Sequence, residues 1–398
     1  MLANKTIVLG ITGSIASYKS ADLASKLTQA GANVEVIMTE SATRFISPIT
    51  FRGVTSRPVV TSMWEMSSGF SIEHVALAEA ADIIVIAPAT ADIIAKLANG
   101  IADDSLTCTV LATKAPVVIA PAMDTGMWRN PITQENVARL KTRGFNFIEP
   151  GFGHLASGCI GEGRLADIGI IIDNIRQILG RNGDMAGKRV VVTAGGTREP
   201  IDPVRYIGNR SSGKMGYAVA EAARDRGAVV VLIAGPTNLP DPAGIEVAHV
   251  QTAVQMKKAV LIAVAQADVL IMSAAVADYM PVNQAVQKIK KAVAGRKLTL
   301  ELVETPDILA EAEGDFLKVG FAAETEDVLE NATKKLHSKQ LDLIVANDIT
   351  APDSGFGMDT NRVTIMSRDE KAERLPLMSK RNVADKILDR VMEMLNLC

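Results

Sequence analysis

The sequence predicts an α/β protein of two doubly wound, parallel-sheet domains, Rossmann-like or flavodoxin-like in plan, on three observations. At 398 residues the chain exceeds what one core ordinarily holds. Hydrophobic residues make up 48% of it but aromatics only 4%, which suits helix-covered parallel sheets better than an aromatic-pinned sandwich. Apolar runs alternate with helical periods twice over, on either side of the Gly- and charge-rich "GRNGDMAGK", Gly180 to Lys188. The expected domains are 1–182 and 183–398.

The first half opens "KTIVLGITGSIASYKSADLASKLTQAGANVEVIMT". Its apolar run is a strand and the Gly/Ser stretch a turn; Leu23, Ala24 and Leu27 then recur at helical spacing until Gly31 stops the helix. Val34 to Met38 is the next strand. The second half opens "KRVVVTAGGTREP" and, after an insertion, continues "GKMGYAVAEAARDRGAVVVLIAG". Met215, Ala218, Val219 and Ala222 make that helix's apolar face, and Gly227 is its stop. Each half then repeats a phrase, "ADIIVIAPATAD" and "ADVLIMSAAVAD", so that Asp82 and Asp92 stand as far apart as Asp268 and Asp278. Strand–helix–strand order with β-branched runs gives parallel sheets, whose ligands bind outside the carboxyl ends of the strands.

Several function classes are disfavoured. A net charge of -3 offers no footprint for a nucleic-acid backbone or an anionic membrane. Cys108, Cys159 and Cys398 are far apart and the 4 His are scattered, which supports neither a disulfide framework nor a zinc site. The longest uncharged stretch, Gly227 to Pro240, is too short to span a bilayer. The first strand begins within a few residues of Met1, leaving no room for a signal peptide, so the expected location is the cytoplasm.

The residues just past each apolar run are the candidate sites. "GITGSIASYK" follows the first strand and opens the first helix, where backbone N–H groups and the helix dipole favour phosphate. Its spacing is not that of a dinucleotide fingerprint. The second strand ends in Thr39 with no acidic residue for a second ribose, which suits a mononucleotide. Alone, the turn fits a phosphate or an empty βα loop equally. "IEHVALA", "APATAD", "ADDSLTCTVLA" and "APAMDTGMW" form an uncommon set with it. On these motifs, residues 5 to 175 resemble the flavin-containing cysteine decarboxylases, phosphopantothenoylcysteine decarboxylase in particular. The resemblance implies FMN held by Gly13, Ser14, Ile15 and Ala16 at its phosphate, by Thr39, by Ala87, Pro88, Ala89 and Thr90, and by Ser105, Leu106 and Thr107. It implies a catalytic His74, whose imidazole suits a base near neutral pH, although "SIEH" is also an ordinary helix start.

Two departures from that family stand out. The family's P-A-M-N, whose Asn contacts the substrate carboxylate, reads Pro121, Ala122, Met123, Asp124 here. Two carboxylates in contact repel, so Asp124 is protonated, or neutralised by Arg129, or the substrate carboxylate lies elsewhere. The family's flap reads A-C-G-D before G-x-G-R; aligned on Gly161, Gly163 and Arg164, Ser157 takes the Cys position and Cys159 the Asp position. Cys159 is the expected proton donor, with Ser157 the weaker alternative.

"GNRSSGKMG" nearly spells a P-loop, but Met215 stands where a Mg2+-binding hydroxyl is needed, so an ATPase is rejected. With "AGGTREPIDPVRYI", "AAVADY", "KIKK", "TPDIL", "VGFAAET" and "ANDI", the second half resembles phosphopantothenate–cysteine ligase. The implied CTP site is Met272, Ser273, Ala274, Asp278, Lys288, Pro306, Asp307, Ile308, Leu309, Phe321, Lys335 and Lys339. Asn209 and Lys288 would act in forming the acyl-cytidylate, and Arg205 would hold the acyl substrate. Lys335 and Lys339 share a helix face, while Lys334, Lys290 and Lys291 read as solvated charge.

The order of the halves is that of the bifunctional coenzyme A biosynthesis proteins. The resemblance implies CTP- and Mg2+-dependent ligation of 4′-phosphopantothenate with cysteine, then FMN-dependent decarboxylation to 4′-phosphopantetheine. The metal ligands are left unassigned. It also implies a homo-oligomer, a dodecamer of ligase dimers and decarboxylase trimers, with Asn99 to Ser105 an intersubunit stretch. One rival keeps the ligase and makes the first half a flavin-binding scaffold with impaired decarboxylation. Another is a nucleotide-sensing or interaction protein, against which Asn209, Asp278 and Lys288 together argue.

Overall fold

The computed structural model describes residues 2–64, 73–290, 298–324, 328–348, 357–369 and 371–396. Lys291 and Cys398, and parts of "VGFAAET" and "ANDI", lie outside them. The chain divides into two compact units, Met1–Leu179 and Gly180–Cys398.

In the first unit the strands are β1 (Thr6–Ile11), β2 (Asn33–Met38), β3 (Val59–Val60), β4 (Ile83–Ala89), β5 (Val117–Pro121) and β6 (Asn146–Phe147). They form one parallel sheet of order β3-β2-β1-β4-β5-β6, followed by an antiparallel hairpin, β7 (Gly151–His154) and β8 (Ile160–Arg164). The helices are α1 (Ser17–Gln29), α2 (Glu40–Thr43), α3 (Pro48–Thr55), α4 (Glu73–Ala80), α5 (Ala91–Asn99), α6 (Ser105–Ala112), α7 (Thr125–Trp128), α8 (Pro131–Thr142) and α9 (Ile168–Gly180). Successive residues of β1 point to opposite faces, and both faces are covered. Ile7 and Leu9 pack with Leu23 and Leu27 of α1 and Ile175 of α9. Val8 packs with Ile93 and Leu97 of α5 and Leu140 of α8. That two-sided burial is why these strands read as unbroken apolar runs.

The second unit repeats the plan. Its strands are β9 (Arg189–Ala194), β10 (Arg198–Pro200), β11 (Tyr206–Gly208), β12 (Val229–Ala234), β13 (Glu246–His249), β14 (Val269–Met272), β15 (Tyr279–Pro281), β16 (Leu302–Glu304), β17 (Leu317–Glu324), β18 (Leu343–Asp348), β19 (Thr360–Asn361), β20 (Val363–Ser367), β21 (Ala372–Arg374) and β22 (Met378–Ser379). Its helices are α10 (Lys214–Asp225), α11 (Ala253–Ala263), α12 (Ile308–Glu311), α13 (Val328–Ser338) and α14 (Lys380–Leu395). The sheet runs β13-β12-β9-β14-β17-β18-β20-β21; the first six strands are parallel, in the same chain order as the first unit's sheet, and β20 and β21 are antiparallel additions. Val190 and Val192 pack against Val219 of α10 and Ile387 of α14. Val191 and Leu270 pack against Val260 of α11 and Leu336 of α13.

The repeated aspartates have a structural reason. Asp82 accepts from the Thr6 N–H and the Lys5 ammonium, both at 2.8 Å, where β4 starts beside β1. Asp268 does the same for the Arg189 N–H at 2.7 Å and Lys188 at 3.4 Å, where β14 starts beside β9. Each fastens the amino end of the strand pair whose carboxyl end opens the crevice. Helix α10 approaches β9 closely: a Cβ on Gly216 would stand 2.6 Å from Ala194 Cβ and 2.7 Å from the Thr193 oxygen.

Candidate functional site

In the first unit, hydrogen bonds gather the expected flavin segments at the carboxyl ends of β1 and β4. The Thr12 hydroxyl donates to the Pro88 carbonyl at 2.7 Å and accepts from the Thr90 N–H at 3.1 Å. Ser17 donates to the Thr12 carbonyl at 2.9 Å and Ser20 to the Ala87 carbonyl at 2.7 Å. The Gly13–Ala16 turn is thereby set against Ala87–Thr90. A Cβ on Gly13 would meet Ser41 Cβ at 2.5 Å, and Thr39 caps α2 through the Ala42 N–H at 3.3 Å, which brings the end of β2 to the same place. Leu106 packs over Gly10 of β1. Three helices begin here: α1 after Ala16, α5 capped by Thr90, and α6 capped by Asp104.

The residues present fit a flavin mononucleotide. Among the described residues the buried Ser105 hydroxyl has no hydrogen-bond partner, a state that costs about 1–3 kcal/mol unless a ligand supplies one. The α1 turn leaves N–H groups for a single phosphate. His74 lies in the first turn of α4, half-buried. Among the described residues no hydrogen bond joins it to these segments.

The two departures from the family pattern meet in space. The Ser157 hydroxyl donates to Asp124 Oδ2 at 2.7 Å, and Asp124 Oδ1 accepts from the Gly126 N–H at 2.9 Å, capping α7. Ser157 first, and then that N–H, hold the Asp124 carboxyl below its ordinary range, so it is ionised at neutral pH. Among the described residues Arg129 pairs with Glu162, at 3.2 Å, and not with Asp124. Both Asp124 oxygens accept from donors on the protein.

Cys159 sits exposed in the turn of the β7–β8 hairpin, its carbonyl accepting from the Leu155 N–H at 2.8 Å. The hairpin's root is seated firmly. The Met123 N–H donates to the Gly163 carbonyl at 2.9 Å and Thr125 to the Glu162 carbonyl at 2.7 Å. Gly163 has φ +136°, and a Cβ there would stand 2.1 Å from the Met123 oxygen, so only glycine fits.

In the second unit a cavity of about 850 Å3 opens at the carboxyl ends of β14 and β17. Met272, Ser273, Ala274, Asp278, Pro306, Asp307, Ile308, Leu309, Phe321, Lys335 and Lys339 line it, with Asn209. The 273–278 loop is pinned from β9: the Ala274 N–H donates to the Thr193 hydroxyl at 3.1 Å and the Ala277 N–H to the Thr197 hydroxyl at 2.9 Å. Asn209 is oriented by donating to the Val276 carbonyl at 2.9 Å. Lys335 donates to the Phe321 carbonyl at 2.8 Å, and Lys339 pairs with Asp307. Burial pushes the Asp307 carboxyl up, but Lys339 and the Ala310 N–H outweigh it and hold it below the ordinary range. Asn347 Oδ1, also at the cavity, is buried without a partner among the described residues.

Sequence reasoning missed three cationic residues of this lining, Arg210, Lys214 and Lys380. Lys214 pairs with Asp359 at 2.7 Å and donates to the Gly357 carbonyl at 2.8 Å; it was visible only as part of a failed P-loop. Lys380, the first residue of α14, is 9% exposed and donates to the Met358 carbonyl; no motif pointed to it. Burial, and then Lys214, push the Lys380 ammonium below its ordinary range. Two expected residues stand outside the lining, Arg205 and the exposed Lys288. Arg205 instead pairs with Asp202, whose buried carboxyl it holds far below the usual range. Among the described residues no group of three or more His, Cys, Asp or Glu could hold a metal ion, and no helix is long and apolar enough to cross a membrane.

Residues 1–180 match the family model described as Flavoprotein, and residues 185–395 match that of the DNA/pantothenate metabolism flavoprotein C-terminal domain. The coenzyme A biosynthesis bifunctional protein CoaBC of Bacillus subtilis is 48% identical over 98% of this chain and 97% of that protein. CoaBC of Vibrio vulnificus is 45% identical over 98% of each. The solved C-terminal domain of a CoaBC protein is 42% identical, covering 54% of this chain and 100% of that one, with a TM-score of 0.47.

Proposed function

The chain belongs to the family of bifunctional coenzyme A biosynthesis proteins, and we propose from that footing how its residues divide the work. It is an enzyme with a ligase half and a flavoprotein decarboxylase half. Residues 183–398 join 4′-phosphopantothenate to cysteine at the expense of CTP, and residues 1–182 decarboxylate the product to 4′-phosphopantetheine.

The lysine-rich cavity carries this reading. A carboxylate is inert to an amine until a phosphoryl group is attached, and that step crowds two anions together. Lys335, Lys339, Lys214 and Lys380 surround the space where the charge would build, and such preorganised cations are the main lever on this chemistry. Asn209, already tied to Val276, presents its remaining amide face to the acyl group. Mg2+ would arrive on the nucleotide, held largely by phosphates and water.

In the first half, FMN would lie with its phosphate on the Gly13–Ala16 turn, its ribityl chain or ring accepting or donating at Ser105. Bound there, it would take a hydride from the sulfur-bearing carbon, which makes the adjacent carboxylate able to leave, and would return that hydride afterwards, so that the reaction is redox-neutral overall. His74 takes the substrate proton, and Cys159 returns one to the product as the hairpin covers the site. The hairpin is seated at its root through Met123 and Thr125 and tied at its turn by Ser157 to Asp124. The protein works in a reducing cytoplasm, Cys108 and Cys159 both being free thiols, and assembles as a homo-oligomer through the Asn99–Ser105 stretch.

Pyrophosphate release from CTP tests the ligase assignment. It should require 4′-phosphopantothenate, and Lys335→Ala should raise the KM for CTP by about ten-fold, one charge-assisted contact. Release that is indifferent to 4′-phosphopantothenate would rule the assignment out.

A further inference from the structure

Asp202 has no part in the reading above, yet its side chain is 0% exposed and its two oxygens are fully engaged. Oδ1 accepts from the N–H groups of Val204 and Arg205, both at 2.9 Å. Oδ2 accepts from Arg205 Nε at 3.0 Å and from the N–H of Ile289, far along the chain, at 3.1 Å. Arg205 Nη2 donates to the same oxygen and also to the Ile289 carbonyl at 2.8 Å. The ion pair therefore holds both polar groups of one distant residue, the donor on the carboxylate and the acceptor on the guanidinium.

Among the described residues, what it holds is otherwise tied through its backbone, the Val282 N–H donating to the Glu301 carbonyl at 3.0 Å where the stretch begins. The 282–290 stretch is mostly exposed, with Val286 91% and Val282 46% accessible, so apolar packing cannot fix its course. A further tie, the Ala285 N–H to the Ile201 carbonyl at 3.0 Å, comes from the same turn as Asp202. Lys288 lies between the ties at Ala285 and Ile289. Hydrogen bonds to a buried ionised group are short, directional and strong, which is what a backbone fastening without side-chain packing needs.

We propose that Asp202 is a positioning residue for ligation: with Arg205 it clasps the backbone at Ile289 and so sets where the Lys288 ammonium reaches over the nucleotide cavity. The proposal rests on Lys288 acting in acyl activation. It also assigns Arg205 a part independent of substrate, since Nε and Nη2 are committed to the clasp and only Nη1 lies outside it.

The test uses the full chain and follows pyrophosphate release from CTP and 4′-phosphopantothenate in Asp202→Asn, Ile289→Pro, Ile289→Ala and Lys288→Ala. Ile289→Pro deletes the clasped N–H at an exposed stretch, so it carries the test even if Asp202→Asn does not fold. Asp202→Asn and Ile289→Pro should lose about 100-fold in kcat, the order expected for a displaced reacting group, with the KM for CTP held within two-fold. Ile289→Ala, which keeps the N–H, should lose at least ten-fold less than Ile289→Pro. Trypsin should cut after Lys290 faster in the two impaired proteins with CTP present. Wild-type kcat in both, or a KM for CTP that rises in step with the loss, overturns the clasp. Lys288→Ala at the wild-type rate overturns the underlying role of Lys288, and the clasp's role with it; Lys288→Ala inactive beside an active Ile289→Pro overturns the clasp alone.

Discussion

Asp124 and Ser157 are each a departure from the decarboxylase pattern, and they hydrogen-bond to each other. The Asp124 carboxylate gains a donor from the Ser157 hydroxyl at 2.7 Å. Carboxyl titration by NMR should place the Asp124 midpoint below the ordinary value of about 3.9 and move it upward in Ser157→Ala. An unmoved midpoint would mean the contact does not form in solution. Because the folded-state pKa is depressed, the contact is at full strength above the ordinary carboxylate range. It weakens as pH falls through the depressed value. Cys159 supplies a sharper contrast. Cys159→Ser should abolish decarboxylation by more than about 100-fold, as expected for a lost general acid, while Ser157→Ala retains most of it. Normal turnover in Cys159→Ser would remove the thiol from the mechanism. Ser105→Ala should leave the flavin-free protein at least as stable, since its hydroxyl has no partner among the described residues, and weaken FMN about ten-fold by fluorescence titration. Unchanged affinity would place the flavin elsewhere.

The elements that position these residues were largely legible. Runs such as Ile83–Ile86 and Val269–Met272 are buried on both faces and read as such, and the repeated aspartates marked equivalent strand starts in both units. What the sequence could not show is contact across long separations. Nothing in the chain announces that Ser157 reaches Asp124, that Lys380 turns into the nucleotide cavity, or that Asp202 reaches Ile289. Periodicity reports which face of an element is buried, not which loop it meets. Gly216 shows how element packing governs the site, because α10 carries Lys214 and lies against β9 with no room for a methyl group. Gly216→Ala should cost about 1–3 kcal/mol in denaturant unfolding and raise the KM for CTP as α10 is pushed outward. An unchanged stability would show that the helix gives way freely.

Across the whole chain, one topology is used twice for different chemistry. In each unit the first and fourth strands of the main sheet, counted along the chain, lie side by side, and the ligand segments follow their carboxyl ends. Helix starts and an unpartnered hydroxyl furnish one crevice, while lysines furnish the other. The product of the ligase is the substrate of the decarboxylase, so both activities should appear in one purified protein. Cysteine labelled at its carboxyl carbon, supplied with 4′-phosphopantothenate, CTP, Mg2+ and FMN, follows the entire sequence. The account predicts labelled CO2 that depends on CTP and approaches one equivalent per pyrophosphate formed. Labelled phosphopantothenoylcysteine accumulating without CO2, in protein with FMN bound, would contradict it.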